Sequence, residues 1–287
     1  MINRILMCQP RYLRIVEEIN AHMNRNRQPD IAQALKQHAQ LVKTYIDLEV
    51  EVIMMDPHPD CPDMCFPAND AHLRGNKLVL SNFVGKATSM RQKEIPLYLE
   101  YFKKHADYFG YELLTTADQS VGFEGQSNLV SVGNDIILVG YGQGRNSYES
   151  AELIRQVHGL KDWQIKPIEL TDPMFYDLDT ACIFIPPDIF LYYPQAFNVY
   201  GRRIIDELPV RTIKVSSDDA ERFVLNGVFI KRSQGTIFVT SVGVSQELKD
   251  FLQKNDIRVV EVDTSEFWKS GGSARCLSLF LPYERSS

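Results

Sequence analysis

The chain has 287 residues, of which 44% are hydrophobic and 24% charged, with a net charge of −6 and a pI near 5.6. That is an ordinary globular composition, long enough for a full core, in one large domain or two smaller ones. The acidic balance argues against a nucleic-acid partner, and no apolar run reaches the length of a membrane span.

The N-terminal Met-Ile-Asn-Arg-Ile-Leu-Met-Cys-Gln-Pro holds an apolar stretch too short for a signal segment, without a small-residue cleavage site after it. Five cysteines, an odd number, point to reduced thiols and a cytoplasmic location. In chain order, Arg4–Gln9 reads as a buried strand stopped by Pro10. A helix is expected over Ile31–Leu48, with Ile31, Leu35, Ala39, Val42 and Ile46 at helical spacing, and a strand over Val50–Met55. Asp56–Pro67 carries four prolines and reads as loop. A strand over Lys77–Phe83 follows, entered through Gly75-Asn76.

The order then recurs. Helix Ile95–Phe109 leads to strand Tyr111–Thr115, the cluster Phe123-Glu-Gly-Gln-Ser-Asn128, and a hairpin turning at Gly133-Asn134. Helix Tyr148–His158 leads to strand Gln164–Leu170, the cluster Phe175-Tyr-Asp-Leu-Asp-Thr180, and a hairpin at Pro186-Pro187-Asp188. Helix Tyr200–Leu208 leads to strand Arg211–Val215, the cluster Phe223-Val-Leu-Asn-Gly227, and a hairpin at Ser233-Gln-Gly235. Helix Gln246–Lys254 leads to strand Ile257–Val262, then Gly271-Gly-Ser-Ala-Arg-Cys276 and a last strand over Cys276–Leu281.

The unit thus repeats about every fifty residues, a period typical of propellers and arrays. The last unit lacks one hairpin arm, and the orphan strand Arg4–Gln9 can supply it. The expectation is a closed ring of five α/β units with helices outside, one domain over residues 1–287. The alternative is an open doubly wound sheet. In a ring, equivalent positions face one axis. Asp63 and Asn69, Glu124 and Asn128, Asp177 and Asp179, Asn226, and Cys276 should then converge into an anionic pocket suited to a cation. Cys276 follows a glycine pair that lets the backbone come close to a ligand, a setting for a nucleophile. A buried structural thiol is the commoner fate of a lone cysteine.

These stretches resemble the guanidino-group modifying superfamily: amidinotransferases, arginine deiminases and dimethylarginine dimethylaminohydrolases. The matching segments are Met7-Cys-Gln-Pro-Arg-Tyr, Glu18-Ile-Asn-Ala-His-Met, Pro62-Asp-Met-Cys-Phe-Pro-Ala-Asn69, Phe123-Glu-Gly125, Gly142-Gln-Gly-Arg145, Asp177-Leu-Asp-Thr180 and Ser265 to Cys276, in the family's order from end to end. The resemblance implies a five-bladed, pseudo-symmetric α/β propeller of pentein type. It implies action in the cytosol on a small, cationic, arginine-like substrate, with no metal or organic cofactor; a homo-oligomer is left open. Carried over residue by residue, it makes Cys276 the nucleophile and Asp63 and Asp179 substrate-holding carboxylates. Glu124 becomes the acidic support of the base, and Arg145 and Arg91 become partners for a substrate carboxylate.

Two positions depart from the family pattern. Asp177 stands where the family has its catalytic His, and Asn128 where it has an Asp. One carboxylate is lost and one gained, so formal charge is unchanged. Asp177 then either moves protons or only bonds backbone. His22, in Ile-Asn-Ala-His-Met, is the best placed of the six histidines to substitute; His38, His105 and His158 are expected at the surface of helices. His58, Cys61, Cys65 and His72 have irregular spacing for a structural zinc. Carboxylates raise a thiol's pKa, and a bound cation would reverse this, so activation by the substrate itself is consistent with the missing His. The expected activity is hydrolysis of a guanidino, amidino or ureido compound through a covalent Cys276 intermediate. Transfer to an amine, or ligand binding without turnover, are the alternatives.

Overall fold

The computed structural model describes residues 4–115, 120–133, 136–232 and 235–281. Asn134, Ser233 and Gln234, placed in hairpin turns above, lie outside the described residues. Among the described residues, fifteen strands form five sheets of three. In chain order they are β1 (Arg4–Cys8), β2 (Glu51–Met55), β3 (Ala71–Arg74), β4 (Lys77–Leu80) and β5 (Glu112–Leu114). There follow β6 (Leu129–Val132), β7 (Ile136–Tyr141), β8 (Ile165–Glu169), β9 (Cys182–Ile185) and β10 (Ile189–Tyr192). The last are β11 (Arg211–Lys214), β12 (Val228–Arg232), β13 (Gly235–Ser241), β14 (Ile257–Val262) and β15 (Leu279–Phe280).

Every sheet has the same plan: an antiparallel pair, then a third strand parallel to the middle one. The middle strands β1, β4, β7, β10 and β13 carry the most buried apolar runs. A parallel partner needs a crossover, which a helix supplies. Ile31–Asp47, Glu94–Lys104, Ser150–His158, Val199–Asp206 and Gln246–Lys254 are those helices. Asp30, Asn198 and Ser245 cap three of them, each side chain accepting a backbone N–H two or three residues into the helix. Among the described residues no helix is long and apolar enough to cross a membrane.

The first and last strands share a sheet, Ile5 opposite Phe280 and Leu6 opposite Leu279. The orphan strand therefore does complete the last hairpin. The expected strand over Cys276–Leu281 is shorter, because residues 274–277 turn and only Leu279–Phe280 pairs. That turn holds Cys276 outside the ladder.

Three further expectations are corrected. The helix over Ile95–Phe109 is two segments, Glu94–Lys104 and Ala106–Phe109, broken at His105. The first long helix buries Ala34, His38, Leu41 and Tyr45, whereas Ile46 is 57% exposed. The stripe is rotated because Tyr45 anchors the turn after the glycine pair, its hydroxyl 3.0 Å from Ser278 Oγ and 3.4 Å from the Ala274 carbonyl. His38 is therefore in the core, not at the surface, and burial lowers its pKa to about 4.

Candidate active site

In four of the sheets a short turn or helical segment enters the first hairpin strand directly and carries a polar cluster: Pro67–Asn69 before β3, Gly125–Asn128 before β6, Leu178–Ala181 before β9, and the turn at Cys276 before β15. In the remaining sheet Asn226 stands two residues ahead of β12. Equivalent placement brings these segments together. Cys276 Sγ lies 3.8 Å from Asp179 Oδ1 and 3.7 Å from Oδ2, although 97 residues separate them. Asn226 Oδ1 accepts the backbone N–H of Ser273 at 2.8 Å and of Cys276 at 3.2 Å, while its Nδ2 donates to the Asp179 carbonyl at 3.1 Å. One amide thus clamps the cysteine turn to the carboxylate segment. The Cys276 carbonyl accepts from Ala68 N–H, which ties in the turn bearing Asn69.

The glycine pair is required by geometry. Gly271 has φ +90°, and a Cβ there would meet the Tyr176 hydroxyl at 2.8 Å; a Cβ at Gly272 would lie 2.9 Å from Phe66 Cε1 and 3.0 Å from Cys276 Cβ. The Tyr176 hydroxyl instead donates to the Gly271 carbonyl at 2.7 Å.

Behind the sulfur lies a buried ionic network. Arg145 grips Glu124 through Nε to Oε1 at 2.6 Å and Nη2 to Oε2, and its Nη2 is 3.8 Å from Asp177 Oδ2. Asp177 accepts from Asn69 Nδ2 at 2.9 Å and from Asn128 Nδ2 at 2.7 Å, and Asn128 Oδ1 accepts from Leu178 N–H. The two positions that depart from the family pattern are thus hydrogen-bonded to each other. Arg91 is held by Glu94 at 3.0 Å and Asp70 at 3.4 Å. Both arginines are committed to internal carboxylates. Arg145 Nη1, however, is buried without a partner.

A cavity of only about 10 Å³, room for a single water, opens onto this cluster, walled by Asp63, Asn69, Arg91, Arg145, Tyr176 and Cys276 and covered by the segment carrying Ile19, Asn20 and Met23. Asp63 Oδ1 has no hydrogen-bond partner. Glu124, Asn128, Asp177 and Asp179 stand behind the cavity wall and are almost wholly buried. His22 lies beside Phe223, with Nε2 2.8 Å from the Met174 carbonyl, and does not line the cavity. Burial lowers its pKa.

The electrostatics follow from burial. Desolvation pushes the Cys276 thiol well above its usual pKa, with Asp179 and then Asp177 adding to the rise. Asp179 is also raised well above its usual value, by burial and then by Asp177. Burial lifts Asp63 to about 6 and raises Glu124 despite Arg145. Burial thus disfavours the charged forms of Cys276, Asp179, Asp63 and Glu124. A cation placed among them would favour their charged forms. Among the described residues no group of His, Cys, Asp and Glu is arranged to hold a metal ion.

Residue types alone did not show the work of Asn226, Tyr176 and Asn20. Asn20 Nδ2 donates to the Ser270 carbonyl and fixes the covering segment. Asn226 carries a partial signal, its place in the recurring polar clusters.

The sequence profile of the eukaryotic N,N-dimethylarginine dimethylhydrolase family matches residues 11–280. The bifunctional arginine dihydrolase/ornithine cyclodeaminase ArgZ of Synechocystis is 32% identical over 96% of this chain; the match spans 37% of that protein's length. The N(G),N(G)-dimethylarginine dimethylaminohydrolase of Mycobacterium tuberculosis is 31% identical over 96% of this chain and 85% of its own. Among solved structures, a variant N-terminal domain of ArgZ covalently bonded to a reaction intermediate superposes with a TM-score of 0.86 at 29% identity, covering 97% of both chains. By a match along nearly its whole length, the chain belongs to the dimethylarginine dimethylaminohydrolase family of the guanidino-group modifying superfamily.

Proposed function

We propose that the chain is a cysteine-dependent hydrolase of a small guanidino, amidino or ureido compound, built as one closed five-bladed α/β ring over residues 1–287. The observation that carries the reading is that Cys276 and Asp63 face one small cavity while Asp179 meets the sulfur from behind. The names of the relatives, an arginine dihydrolase and a dimethylarginine dimethylaminohydrolase, agree with it.

A guanidinium held at Asp63, in front of the sulfur that Asp179 backs, compensates the carboxylate charge and lowers the thiol pKa. The sulfur then bonds to the central carbon, one C–N bond breaks, and the leaving nitrogen departs as ammonia or an amine carrying the thiol proton. Water next attacks the thiouronium carbon, the C–S bond breaks, and a ureido product, the free thiol and one proton result. Asp179 is the carboxylate in contact with the sulfur and serves as the proton relay. Asp177, held by two amides, keeps Asn69 and Asn128 in place and sets the field; Arg145 Nη1 offers a donor to an anionic group of the substrate. The absence of His at position 177 favours a second reading, binding without turnover.

The test is incubation with arginine, agmatine, citrulline and methylated arginines, followed by mass spectrometry of the intact protein and assay of released ammonia or amine. The expected result is an adduct on Cys276 with one of them and loss of release in Cys276→Ser. Saturable binding by the wild type with no adduct and no release would establish the second reading.

A further inference from the structure

A second cavity, of about 630 Å³, is bordered by Asp179 but not by Cys276. Its walls are largely apolar, with Leu129, Ile183, Phe184 and Phe229 among them. Its charged wall groups are Arg275, Lys231 and a single carboxylate, Asp179.

Arg275 is only 9% exposed, and its guanidinium bonds neutral oxygens alone. Nη1 donates to Gln126 Oε1 at 3.2 Å and to the Ser278 carbonyl at 2.9 Å; Nη2 donates to Gln126 Oε1 at 3.2 Å and to the Gln126 carbonyl at 3.4 Å. It forms no ion pair among the described residues, and its cation lies over the Phe280 ring at 3.8 Å. A buried charge with no carboxylate in contact is costly: burial lowers the pKa of this guanidinium, and Asp179, too far away for an ion pair, offsets that only in part. The cost is relieved by an anion.

A second group points the same way. His72, 6% exposed on β3, lines the cavity, and neither ring nitrogen has a hydrogen-bond partner. The neutral imidazole carries one N–H, which a buried site leaves unsatisfied only at a cost. Lys231 adds a cation at an exposed position on the rim. The polar groups therefore ask for an acceptor, and the walls ask for an apolar body.

We infer that this cavity is a binding site for an amphipathic monocarboxylate, its carboxylate directed to Arg275 and His72 and its aliphatic chain lying along the apolar walls. The inference does not depend on turnover at Cys276, and its test measures binding alone.

The probe is octanoate, titrated calorimetrically into the full chain, with octanol and octylamine as controls of equal length. Octanoate should bind saturably at one site, at least about tenfold more tightly than either control, a difference of about 1.4 kcal/mol. Arg275→Met should abolish the preference for the acid. Because it also removes the bonds to Gln126, two milder variants accompany it. His72→Phe and Lys231→Glu should each weaken octanoate about three- to tenfold with an unchanged melting temperature. Ser131→Trp, at an exposed wall position, should block binding. Equal affinity for the three probes, no saturable binding, or octanoate binding indifferent to His72→Phe and Lys231→Glu would each overturn the inference.

Discussion

Asn226 is fully buried and joins three segments, so its replacement by Ala tests how the site is held together. The change removes an acceptor shared by the Ser273 and Cys276 N–H groups and a donor to the Asp179 carbonyl. Each lost bond is worth about 1 kcal/mol net, and an N–H left dry costs about 1–3 kcal/mol. A water filling the vacated amide volume would restore part of this. The sum is a loss of about 3–4 kcal/mol, which lowers Tm by roughly 6–16 °C in a chain of this size. Urea and thermal melts measure it directly. Asn226→Asp keeps the acceptor, loses the donor and adds a carboxyl near Asp179, so it should fall between wild type and Asn226→Ala at pH 5 and lose that advantage as pH rises. Stability of Asn226→Ala within about 1 kcal/mol of wild type would refute the view that this one amide clamps the nucleophile turn to its carboxylate.

Asp63 predicts a pH dependence. Burial raises its pKa from 3.8 to about 6, so the folded state favours the protonated form. That contribution is complete below the unfolded pKa and is lost as pH rises through about 6, amounting to about 3 kcal/mol. Asp63→Asn should therefore gain stability over wild type between pH 4 and 7 in parallel melts; a constant difference would show that Asp63 is not desolvated. The Asp177–Asn128 contact predicts a coupled pair. Asn128→Asp alone sets two carboxyls together and should lose about 1.5–3 kcal/mol, whereas Asp177→His with Asn128→Asp rebuilds a donor–acceptor bond with the roles reversed. The double variant should be more stable than Asn128→Asp and should shift release of ammonia or amine toward arginine. Full activity of Asp177→Asn on the best substrate would show that the Asp177 charge is not used.

The recurring order of helix, strand, polar cluster and hairpin was legible in the chain because its causes are local. Apolar periodicity, Gly and Pro punctuation and helix caps each act within a few residues. So the orphan strand Arg4–Cys8 could be matched to a missing hairpin arm, and Asp179 and Cys276 could be assigned to equivalent positions. Which face of a helix is buried was less legible. Ile31, Leu35 and Ala39 have helical spacing, yet Ala34, His38 and Tyr45 face the core, because the hydroxyl of Tyr45 finds partners more than two hundred residues away. The strand expected from Cys276 was shortened for a similar reason: the Asn226 amide, from another sheet, takes the Cys276 N–H that a ladder would need. The direct bond between Asp177 and Asn128 and the commitment of Arg91 and Arg145 to internal acids likewise depend on long-range packing. So does the placing of the Arg275 guanidinium, bonded to neutral oxygens alone, at the wall of a second cavity. Residue type and spacing determine which groups are available to a site. Only the tertiary structure decides which of them meet, which are dry, and which remain without a partner, because hydrogen bonding and desolvation depend on neighbours the chain brings from elsewhere.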